Sequence, residues 1–347
     1  MTVSNVLFIF VLVFSGTILL TGLIRYYALS NKILDIPNQR SSHKIPTPRG
    51  GGLAIVISFF SAASYLFLSN ELNPAWFSAL SATLLVALIG FCDDHAHVAA
   101  RWRFLIHLLA AFSALYFLNG LPQILIPKPL ASIFGIETLN TGWYGYFPGT
   151  LLLVWFLNLF NFMDGTDGIA ASEAVFVSAA LAGYLYFIDD NLFNISAALA
   201  VSAAGFLVWN RPPAKIFMGD VGSGFLGLLL GILILMAAKL APVLFYCGLI
   251  LFGIFIVDAS YTLAIRFLSG QKWHQAHCSH TYQRAAKQFG HLPVLLVCWA
   301  INLFWLLPIS RVVFLYPEYA LPGLFLAYLP LVFLAYRFKA GQAITNN

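Results

Sequence analysis

Long apolar stretches separated by short polar segments dominate the pattern of hydrophobic and polar positions along this chain. Most stretches run for about 17 to 25 residues, the length with which an α-helix crosses a bilayer, whereas barrel strands would alternate over about ten residues. Segment 120–147, which is rich in proline, glycine and aromatic residues, predicts an interfacial loop or hairpin instead. The pattern predicts about eleven spanning helices, at roughly 5–24, 51–69, 76–92, 103–119, 148–163, 172–188, 192–209, 223–239, 242–266, 291–308 and 320–336.

The composition supports a membrane protein. Of the 347 residues, 61% are hydrophobic and 9% are charged, and the mean hydropathy is +0.86. A soluble chain of this size could not hide so much apolar surface, since soluble domains carry about 25% charged residues. We therefore expect an all-α, polytopic integral membrane helix bundle that forms a single transmembrane domain over residues 1–347.

The positive charges are unevenly divided between the two ends of these helices. With the N-terminus outside, 15 of the 18 Lys and Arg residues fall on the inner side. Because the side richer in Lys and Arg is cytoplasmic, the sequence predicts an N-out, C-in orientation. All 8 histidines and most aspartates fall on the same side, so any chemistry is expected at the cytoplasmic face. The net charge of +5 follows from this topology and does not indicate a nucleic-acid partner.

Polar residues recur every three positions at the end of the fifth predicted span. Asn158, Asn161 and Asp164 form one spiral stripe on a helix, and two glycines then break the helix and bring Asp167 alongside. An asparagine at membrane depth usually faces a bundle interior or a water-filled cavity. The stripe indicates a polar site at this helix end, and interhelical hydrogen bonds with a capping turn are the structural alternative.

Two further acidic motifs lie at helix ends on the predicted cytoplasmic side. Asp93 and Asp94 are adjacent at the end of the third span, and we expect that end to be frayed so that both reach one cation site. Asp220 lies among glycines just before the eighth span, where a carboxylate and backbone N–H groups suit a metal-bound pyrophosphate. A solvated acidic cap and an N-cap turn are the structural alternatives.

Basic loops flank these acids. In segment 35–55, Lys44 and Arg49 could hold phosphate, and the three glycines 50–52 are expected to let a ligand approach backbone N–H groups. In segment 265–285, three histidines recur every three residues near Arg266. They suit phosphate better than zinc, because the nearby acids favour a hard cation and the four cysteines form no pair. A basic stop-transfer loop and an amphipathic loop on the bilayer are the structural alternatives.

These motifs together put carboxylates, amides, glycines and cations on one membrane face, which is what a Mg²⁺-dependent reaction between phosphates requires. The main alternative is a membrane transporter of an ion or nucleotide-sugar-like solute, because polar residues beside glycine-broken helices also mark solute pathways. A transporter should carry such residues at the bilayer midplane, however, and here only Asp258 lies away from the crowded face. A non-catalytic membrane scaffold has no use for this density of acids.

At these residues the sequence resembles the polyprenyl-phosphate N-acetylhexosamine-1-phosphate transferases of glycosyltransferase family 4. The resemblance runs from about Asp35 to Arg284 and comprises PRGGG, DD, NFMDGTDG, FMGDVGS and the histidine loop in the family's order. The loop reads His-Cys-Ser-His at 277–280 and is similar to the HRSH form of O-antigen-initiating members. Cys278 replaces the arginine of that form, which puts one phosphate contact and the choice of sugar in question.

The resemblance implies a role for each matched residue. Asp220, assisted by Asp93, is expected to bind Mg²⁺, with Mn²⁺ as an alternative, and Phe217 is expected to stack on uracil. The implied catalytic residues are Asp93, Asp94, Asp220, His277 and His280. The implied substrate contacts are Lys44, Arg49, Asn158, Asn161, Asp164, Asp167, Asn210, Phe217 and Arg266.

The resemblance also implies an activity. A sugar-1-phosphate would pass from a UDP-N-acetylhexosamine (UDP-N-acetylglucosamine, or an N-acetylfucosamine or N-acetylquinovosamine derivative) to undecaprenyl phosphate. The products would be undecaprenyl-diphospho-sugar and UMP, initiating O-antigen of lipopolysaccharide or another cell-surface polysaccharide at the bacterial inner membrane. The implied partners are both substrates and the lipid bilayer, and a homodimer stays open. Because the second pKa of a phosphate lies near about 6, the nucleophile is mostly ionised at pH 7 without a strong general base.

Overall fold

A computed structural model describes residues 3–37, 45–96, 98–128, 130–272, 275 and 277–343. In this part of the chain the strands form two short antiparallel ladders, β1 (Leu34–Asp35) with β2 (Thr47–Pro48) and β3 (Ile124–Leu125) with β4 (Thr138–Leu139). The helices are α1 (Val3–Ser30), α2 (Gly52–Leu68), α3 (Pro74–Ser81), α4 (Thr83–His95), α5 (Ala100–Phe117), α6 (Leu130–Phe134), α7 (Tyr146–Met163), α8 (Ile169–Leu185), α9 (Asp190–Asn210), α10 (Asp220–Leu240), α11 (Val243–Leu251), α12 (Gly253–Leu268), α13 (Thr281–Phe289), α14 (His291–Ile301), α15 (Leu307–Leu315) and α16 (Ala320–Arg337). A π-helical turn, Asn302–Leu306, joins α14 to α15.

Every predicted span falls on helical residues, although 76–92, 242–266 and 291–308 each cover more than one helix. Among the described residues, 7 helical stretches are long and apolar enough to cross a membrane, and the number is 8 if α11 and α12, which meet at 71°, form one bent span. The helices α2 and α8 are apolar but shorter, and α5 coincides with the span predicted at 103–119. The all-α, polytopic membrane architecture is therefore confirmed. The number of spans, the N-out, C-in orientation and the single domain stay predictions.

Helix α10 is the centre of the bundle. The 18-residue apolar window of this helix is 100% buried, and it packs against α2, α4, α7 and α8. Small residues allow this, because helices in a membrane associate closely where side chains are short. A Cβ atom at Gly227 would lie 2.6 Å from the carbonyl oxygen of Phe156, and one at Gly231 would lie 2.9 Å from Leu153. The middle of α10 thereby lies close to the middle of α7.

Of the three glycines at 50–52, Gly51 and Gly52 serve close packing, whereas Gly50 has an open Cβ position and a φ of +91°. A Cβ atom at Gly52 would lie 2.3 Å from the Cα atom of Gly222 at the start of α10. The N–H groups of Gly51 and Gly52 donate to the carbonyl oxygens of Phe217 and Met218 at 3.0 and 2.9 Å. The expectation that these glycines let a ligand reach backbone N–H groups is therefore wrong for 51 and 52. Their N–H groups already hold the loop that leads into α10.

Segment 120–147 forms a hairpin, as its composition predicts. The β3–β4 ladder closes it, with α6 between the strands and a short 3₁₀ turn, Gly142–Gly145, before α7. The hydroxyl group of Tyr246 donates to the carbonyl oxygen of Leu125 at 2.9 Å and ties the hairpin to α11.

Candidate active site

Three helix ends meet at the centre of the predicted site. Asp93 lies near the end of α4, Asn161 near the end of α7 and Asp220 at the start of α10. They meet because α10 packs along both α4 and α7. The Nδ2 atom of Asn161 donates to Oδ1 of Asp220 at 3.0 Å and to Oγ of Ser223 at 2.9 Å. The amide of α7 therefore orients the Asp220 carboxylate.

Arg103, in the first turn of α5, joins the two acids. Its Nη1 atom lies 2.5 Å from Oδ2 of Asp93 and 2.8 Å from Oδ2 of Asp220. The other Asp93 oxygen accepts the N–H of Val98 at 2.7 Å. The guanidinium offsets the repulsion that two facing carboxylates would feel. Sequence analysis missed this residue, although a cation ten positions after Asp93, beyond a short turn, was a usable signal.

The acids around Arg103 fit a divalent cation. Oxygen atoms of Asp93 and Asp220 converge on one cationic nitrogen, so the guanidinium stands where a metal ion would. Carboxylate oxygens are hard ligands of the kind that Mg²⁺ prefers. Within the described ranges, no group of three or more His, Cys, Asp and Glu side chains is arranged to hold a metal. Asp93 and Asp220 are the residues that would hold Mg²⁺, and the ion would supply positive charge to a phosphate there.

Asp94 anchors the start of α10. Its two carboxylate oxygens accept the N–H groups of Asp220 and Val221, each at 3.2 Å, and the side chain is buried. Arg49 Nη2 donates to the main-chain oxygen of Asp94 at 2.6 Å. A Cβ atom at Gly219 would lie 2.5 Å from Oδ2 of Asp94, so only glycine fits between them. The catalytic role of Asp94 stays a prediction, whereas its capping of α10 is a finding.

The end of α4 is not frayed. The helix continues through His95, so the expected fraying at Asp93 and Asp94 is wrong. Consecutive residues on a helix point about 100° apart. The two carboxylates consequently reach different neighbours, Asp93 facing Arg103 of α5 and Asp94 facing backbone N–H groups of α10.

The polar residues of the stripe on α7, Asn158, Asn161 and Asp164, do not all face the same groups. Asp164, which ends α7, keeps partial contact with solvent. Burial, and then the nearby charges of Asp220, Asp94 and Asp167, raise the pKa of Asp164 to about 7. Asn158 differs, since its Nδ2 atom donates to the carbonyl oxygen one turn earlier in its own helix at 2.7 Å. Asn161 and Asp164 thus face the acidic centre, and a substrate contact by Asn158 stays a prediction.

Asp167 fixes the loop between α9 and α10. Its Oδ2 atom accepts the N–H of Ala214 at 3.0 Å, and its Oδ1 atom lies 3.2 Å from Nδ1 of His291. His291 was not among the predicted site residues. The loop 211–219 and the start of α14 are therefore held to the same carboxylate.

Asn210 is buried, and its side-chain amide bonds to the backbone of two loops. Its Oδ1 atom accepts the N–H of Gly168 at 3.0 Å, and its Nδ2 atom donates to the carbonyl oxygen of Ile216 at 2.9 Å. These two bonds use one N–H hydrogen and one oxygen lone pair of the amide, and a nucleoside contact by Asn210 stays a prediction. Phe217 is half-buried in the same loop, and its N–H donates to the carbonyl oxygen of Pro48 at 2.8 Å. Its stacking on uracil stays a prediction.

A buried carboxylate holds the histidine loop. Asp258 of α12 accepts the N–H groups of Thr281 and Tyr282 at 2.9 and 3.0 Å, and its Oδ1 atom lies 3.3 Å from Nδ1 of His280. His280 is itself buried and begins α13 as the N-cap. Any phosphate contact of His280 must therefore use its other ring nitrogen. The hydropathy pattern had singled out Asp258 only as an acid far from the rest.

His277 stacks on His280, with ring centroids 4.9 Å apart and an interplanar angle of 26°. Burial, and then His280 and Arg266, lower the pKa of His277 to about 4. The ring is therefore neutral near pH 7, and it would contact a phosphate as an N–H donor and not as a cation. His274, the third histidine, lies outside the described residues.

The predicted basic contacts differ in position. Arg266 is buried, and its Nη1 and Nη2 atoms donate to Oε1 of Gln271 and to the carbonyl oxygen of Lys272 at 2.9 and 3.1 Å. Its guanidinium closes the turn after α12, its Nε atom has no hydrogen-bond partner among the described residues, and its neutralisation of phosphate stays a prediction. Arg49 is 38% exposed beside Asp94. Lys44 lies outside the described residues.

Comparisons with known proteins agree with these motifs. The model of the family "Glycosyl transferase family 4" matches residues 76–238. The chain is 30% identical over 273 residues to the probable undecaprenyl-phosphate N-acetylglucosaminyl 1-phosphate transferase of Bacillus subtilis (strain 168), covering 77% of this chain and 73% of that protein. It is 34% identical over 255 residues to the phospho-N-acetylmuramoyl-pentapeptide-transferase of Rhodopseudomonas palustris (strain BisB18), covering 65% of this chain and 67% of that protein. The resemblance drawn from the motifs is therefore confirmed, and the chain belongs to glycosyl transferase family 4.

Proposed function

We propose that this protein transfers a sugar-1-phosphate from a UDP-N-acetylhexosamine to undecaprenyl phosphate in the bacterial inner membrane. The observation that carries the proposal is the meeting of Asp93, Asn161 and Asp220 at the ends of three apolar helices. Such a place is open both to a lipid headgroup and to a water-soluble nucleotide. The names of the relatives from Bacillus subtilis and Rhodopseudomonas palustris describe transfers of the same kind.

The reaction is an exchange of one phosphoanhydride partner for another. An oxygen atom of the lipid phosphate forms a bond to the β-phosphorus of the nucleotide sugar. The bond from that phosphorus to the bridging oxygen breaks, and UMP leaves with the electron pair. Catalysis of this kind rests on positioning and on charge neutralisation. Mg²⁺ held by Asp220 and Asp93 would supply positive charge to the diphosphate.

The protein groups contribute orientation and charge. Asn161 fixes the Asp220 carboxylate, and Asp94 fixes the start of α10 on which Asp220 lies. Arg103 balances the two acids and, once displaced, has a cationic side chain free to contact phosphate. His277 offers a neutral N–H donor beside His280. Together these groups hold a diphosphate without placing a strong base at the site.

The donor sugar is proposed at the level of the N-acetylhexosamine class. The members of this class carried over from the resemblance are N-acetylglucosamine and the N-acetylfucosamine and N-acetylquinovosamine types. Initiation of O-antigen or another cell-surface polysaccharide is the pathway that the product would serve.

The test measures UMP release by purified protein with undecaprenyl phosphate and a panel of UDP-N-acetyl sugars, in Mg²⁺ or in EDTA. We expect Mg²⁺-dependent release that requires the lipid and falls at least a hundredfold in Asp220→Asn, because removal of one charge-stabilising group costs about 10²–10³ in rate. Asp190→Asn, the same change at an exposed residue of α9, is the matched control. Folded protein that releases no UMP from any donor would refute the proposal and favour the transporter.

A further inference from the structure

Four cations surround a cavity of about 500 Å³ at the end of α13 and α16. They are Arg284, Lys287, Arg337 and Lys339. In the part of the chain that the structure describes, no carboxylate lies within 4.0 Å of any of them. Lys287 Nζ has the Sγ atom of Cys278 as a partner at 3.4 Å, and Arg284 donates to a main-chain oxygen. The cavity therefore concentrates positive charge without a carboxylate counter-ion among the described residues.

Helix dipoles explain only part of this cluster. Lys287 and Arg337 each lie in the last turn of a helix, where a cation is favourable by itself. The dipoles do not explain why both helix ends converge on one cavity with two further cations. Like charges at this spacing repel, and an anion between them removes the repulsion.

An apolar crevice continues from the basic cavity. It has a volume of about 520 Å³ and is lined by residues of α12, α13, α14 and α16. Phe289 and Phe338 line both spaces, with ring centroids 6.5 Å apart and an interplanar angle of 81°. The one carboxylate in the crevice wall, that of Asp258, is taken up by the N–H groups of Thr281 and Tyr282. The lining thus changes from cationic to apolar across one aromatic pair.

Helix α13 has the character of a helix that lies at a membrane surface. It is a short, strongly amphipathic helix that buries Tyr282 and Ala286 and exposes Lys287. Amphipathic helices with basic polar faces lie at the level of the lipid headgroups. Basic pockets between membrane helices on the cytoplasmic side bind anionic lipid headgroups.

We propose that the cavity and the crevice together bind one molecule of an anionic phospholipid. The phosphate group would lie among the four cations, and an acyl chain would lie in the crevice beyond Phe289 and Phe338. A soluble anion would use only the cavity, and a neutral lipid would use only the crevice. The crevice wall includes Thr281 and Tyr282, which directly follow His280, so the bound lipid would also stabilise the histidine loop. This site is separate from Asp93 and Asp220 and does not depend on the proposed transfer reaction.

The charge half of the proposal is tested by native mass spectrometry of the full chain in detergent. Phosphatidylglycerol and phosphatidylcholine with identical acyl chains are titrated in parallel. Lys287→Gln/Lys339→Gln should weaken phosphatidylglycerol binding by about tenfold or more, since each juxtamembrane cation contributes about fivefold. Lys32→Gln/Lys215→Gln, an equal charge change elsewhere on the predicted inner side, should alter binding less than about twofold. Equal binding of the two lipids, or an equal loss in the control pair, would overturn the proposal.

The apolar half is tested by filling the crevice. Val297, which lines it and is 55% exposed, is replaced by Trp. Val297→Trp should weaken phosphatidylglycerol binding while leaving the apparent Tm of the lipid-free protein within a few degrees of the parent. Glycerol 3-phosphate should not displace the lipid at equal concentration. Displacement by glycerol 3-phosphate would identify a soluble-anion site, and preferential displacement by undecaprenyl phosphate would identify a substrate site; either result would overturn the phospholipid assignment.

Discussion

Replacement of Asp164 by Asn should stabilise the protein while it abolishes activity. The side chain ends α7 among other acids, and burial together with those charges raises its pKa to about 7 from the ordinary value of 3.8. An ionised carboxylate is therefore unfavourable at this position in the folded state. Asn has nearly the same shape and no charge, so Asp164→Asn removes the penalty while it also removes a carboxylate from the candidate site.

The sign and size of the effect follow from the pKa shift. Well below the ordinary pKa of 3.8, the carboxyl group is protonated in both states and the penalty vanishes. As the pH rises, the unfolded chain ionises first, so the folded state loses stability until the pH passes about 7. The pKa of Asp164 is raised by about three, and each unit of pKa corresponds to about 1.4 kcal/mol. The free energy of unfolding is therefore lowered by about 4 kcal/mol above pH 7. Because Asp164 keeps partial solvent contact, about 2 to 4 kcal/mol is expected.

The assay compares the apparent Tm of the parent and Asp164→Asn between pH 5 and pH 8.5 in EDTA. The stabilisation by Asn should grow with pH and level off above about pH 7.5. Mg²⁺ should shrink the difference, because a bound cation would favour the ionised carboxylate. Asp190→Asn is the exposed control and should show no trend. A difference between Asp164→Asn and the parent that does not change with pH, or that falls as pH rises, would refute the reasoning.

Three further predictions concern groups that hold the site together. Arg103→Gln should increase the rise in apparent Tm that Mg²⁺ gives, because Asp93 and Asp220 would face each other without a cation. Arg101→Gln is the control and should respond to Mg²⁺ as the parent does. An equal response in both variants would contradict this prediction. Asp258→Asn should speed tryptic cleavage at Lys272 and lower UMP release at least tenfold. The variant weakens the hydrogen bonds that hold the histidine loop, and hydrogen bonds to a charged group contribute about 1.5–3 kcal/mol each. Unchanged digestion would count against this prediction. Gly52→Ala should lower stability by about 1–3 kcal/mol or more, because its Cβ atom would lie 2.3 Å from Gly222. Gly16→Ala, with no atom within 4 Å of its Cβ position, is the control, and an equal change in both would contradict the packing argument.

The fold could be predicted from hydropathy because a membrane helix must carry a long apolar stretch whatever its neighbours are. Hydropathy could not show that α10 is central, since lipid-facing and protein-facing helices are equally apolar. A clue was present in its glycines at 224, 227 and 231, which the helix needs in order to approach α4 and α7. Small residues on one helix reveal close packing only when the partner helix is known.

The acids and Asn161 were predictable because their residue types are costly inside a membrane and demand a use. Arg103 and Asp258 were not predicted, because each acts through a partner distant in the sequence, Asp220 and the start of α13. Asn210 and Arg266 were assigned to the substrate, and in the structure both also bond to nearby protein groups, while the buried Nε atom of Arg266 has no partner among the described residues. Residue type indicates where polar groups are needed, and only tertiary contacts show which of them are still available to a ligand.

The adjacent acids Asp93 and Asp94 show how helix geometry separates two tasks. Neighbours on a helix point about 100° apart, and these two consecutive carboxylates accept from different groups. Asp94 caps α10 through two N–H groups and so fixes where Asp220 lies, and Asp93 meets Asp220 across Arg103. Asp94 thus sets the position of Asp220, and Asp93 shares the Arg103 cation with Asp220. Both acids are needed because the site lies between α4 and α10. A cation can bridge Asp93 and Asp220 when Asp94 holds the start of α10 against the end of α4.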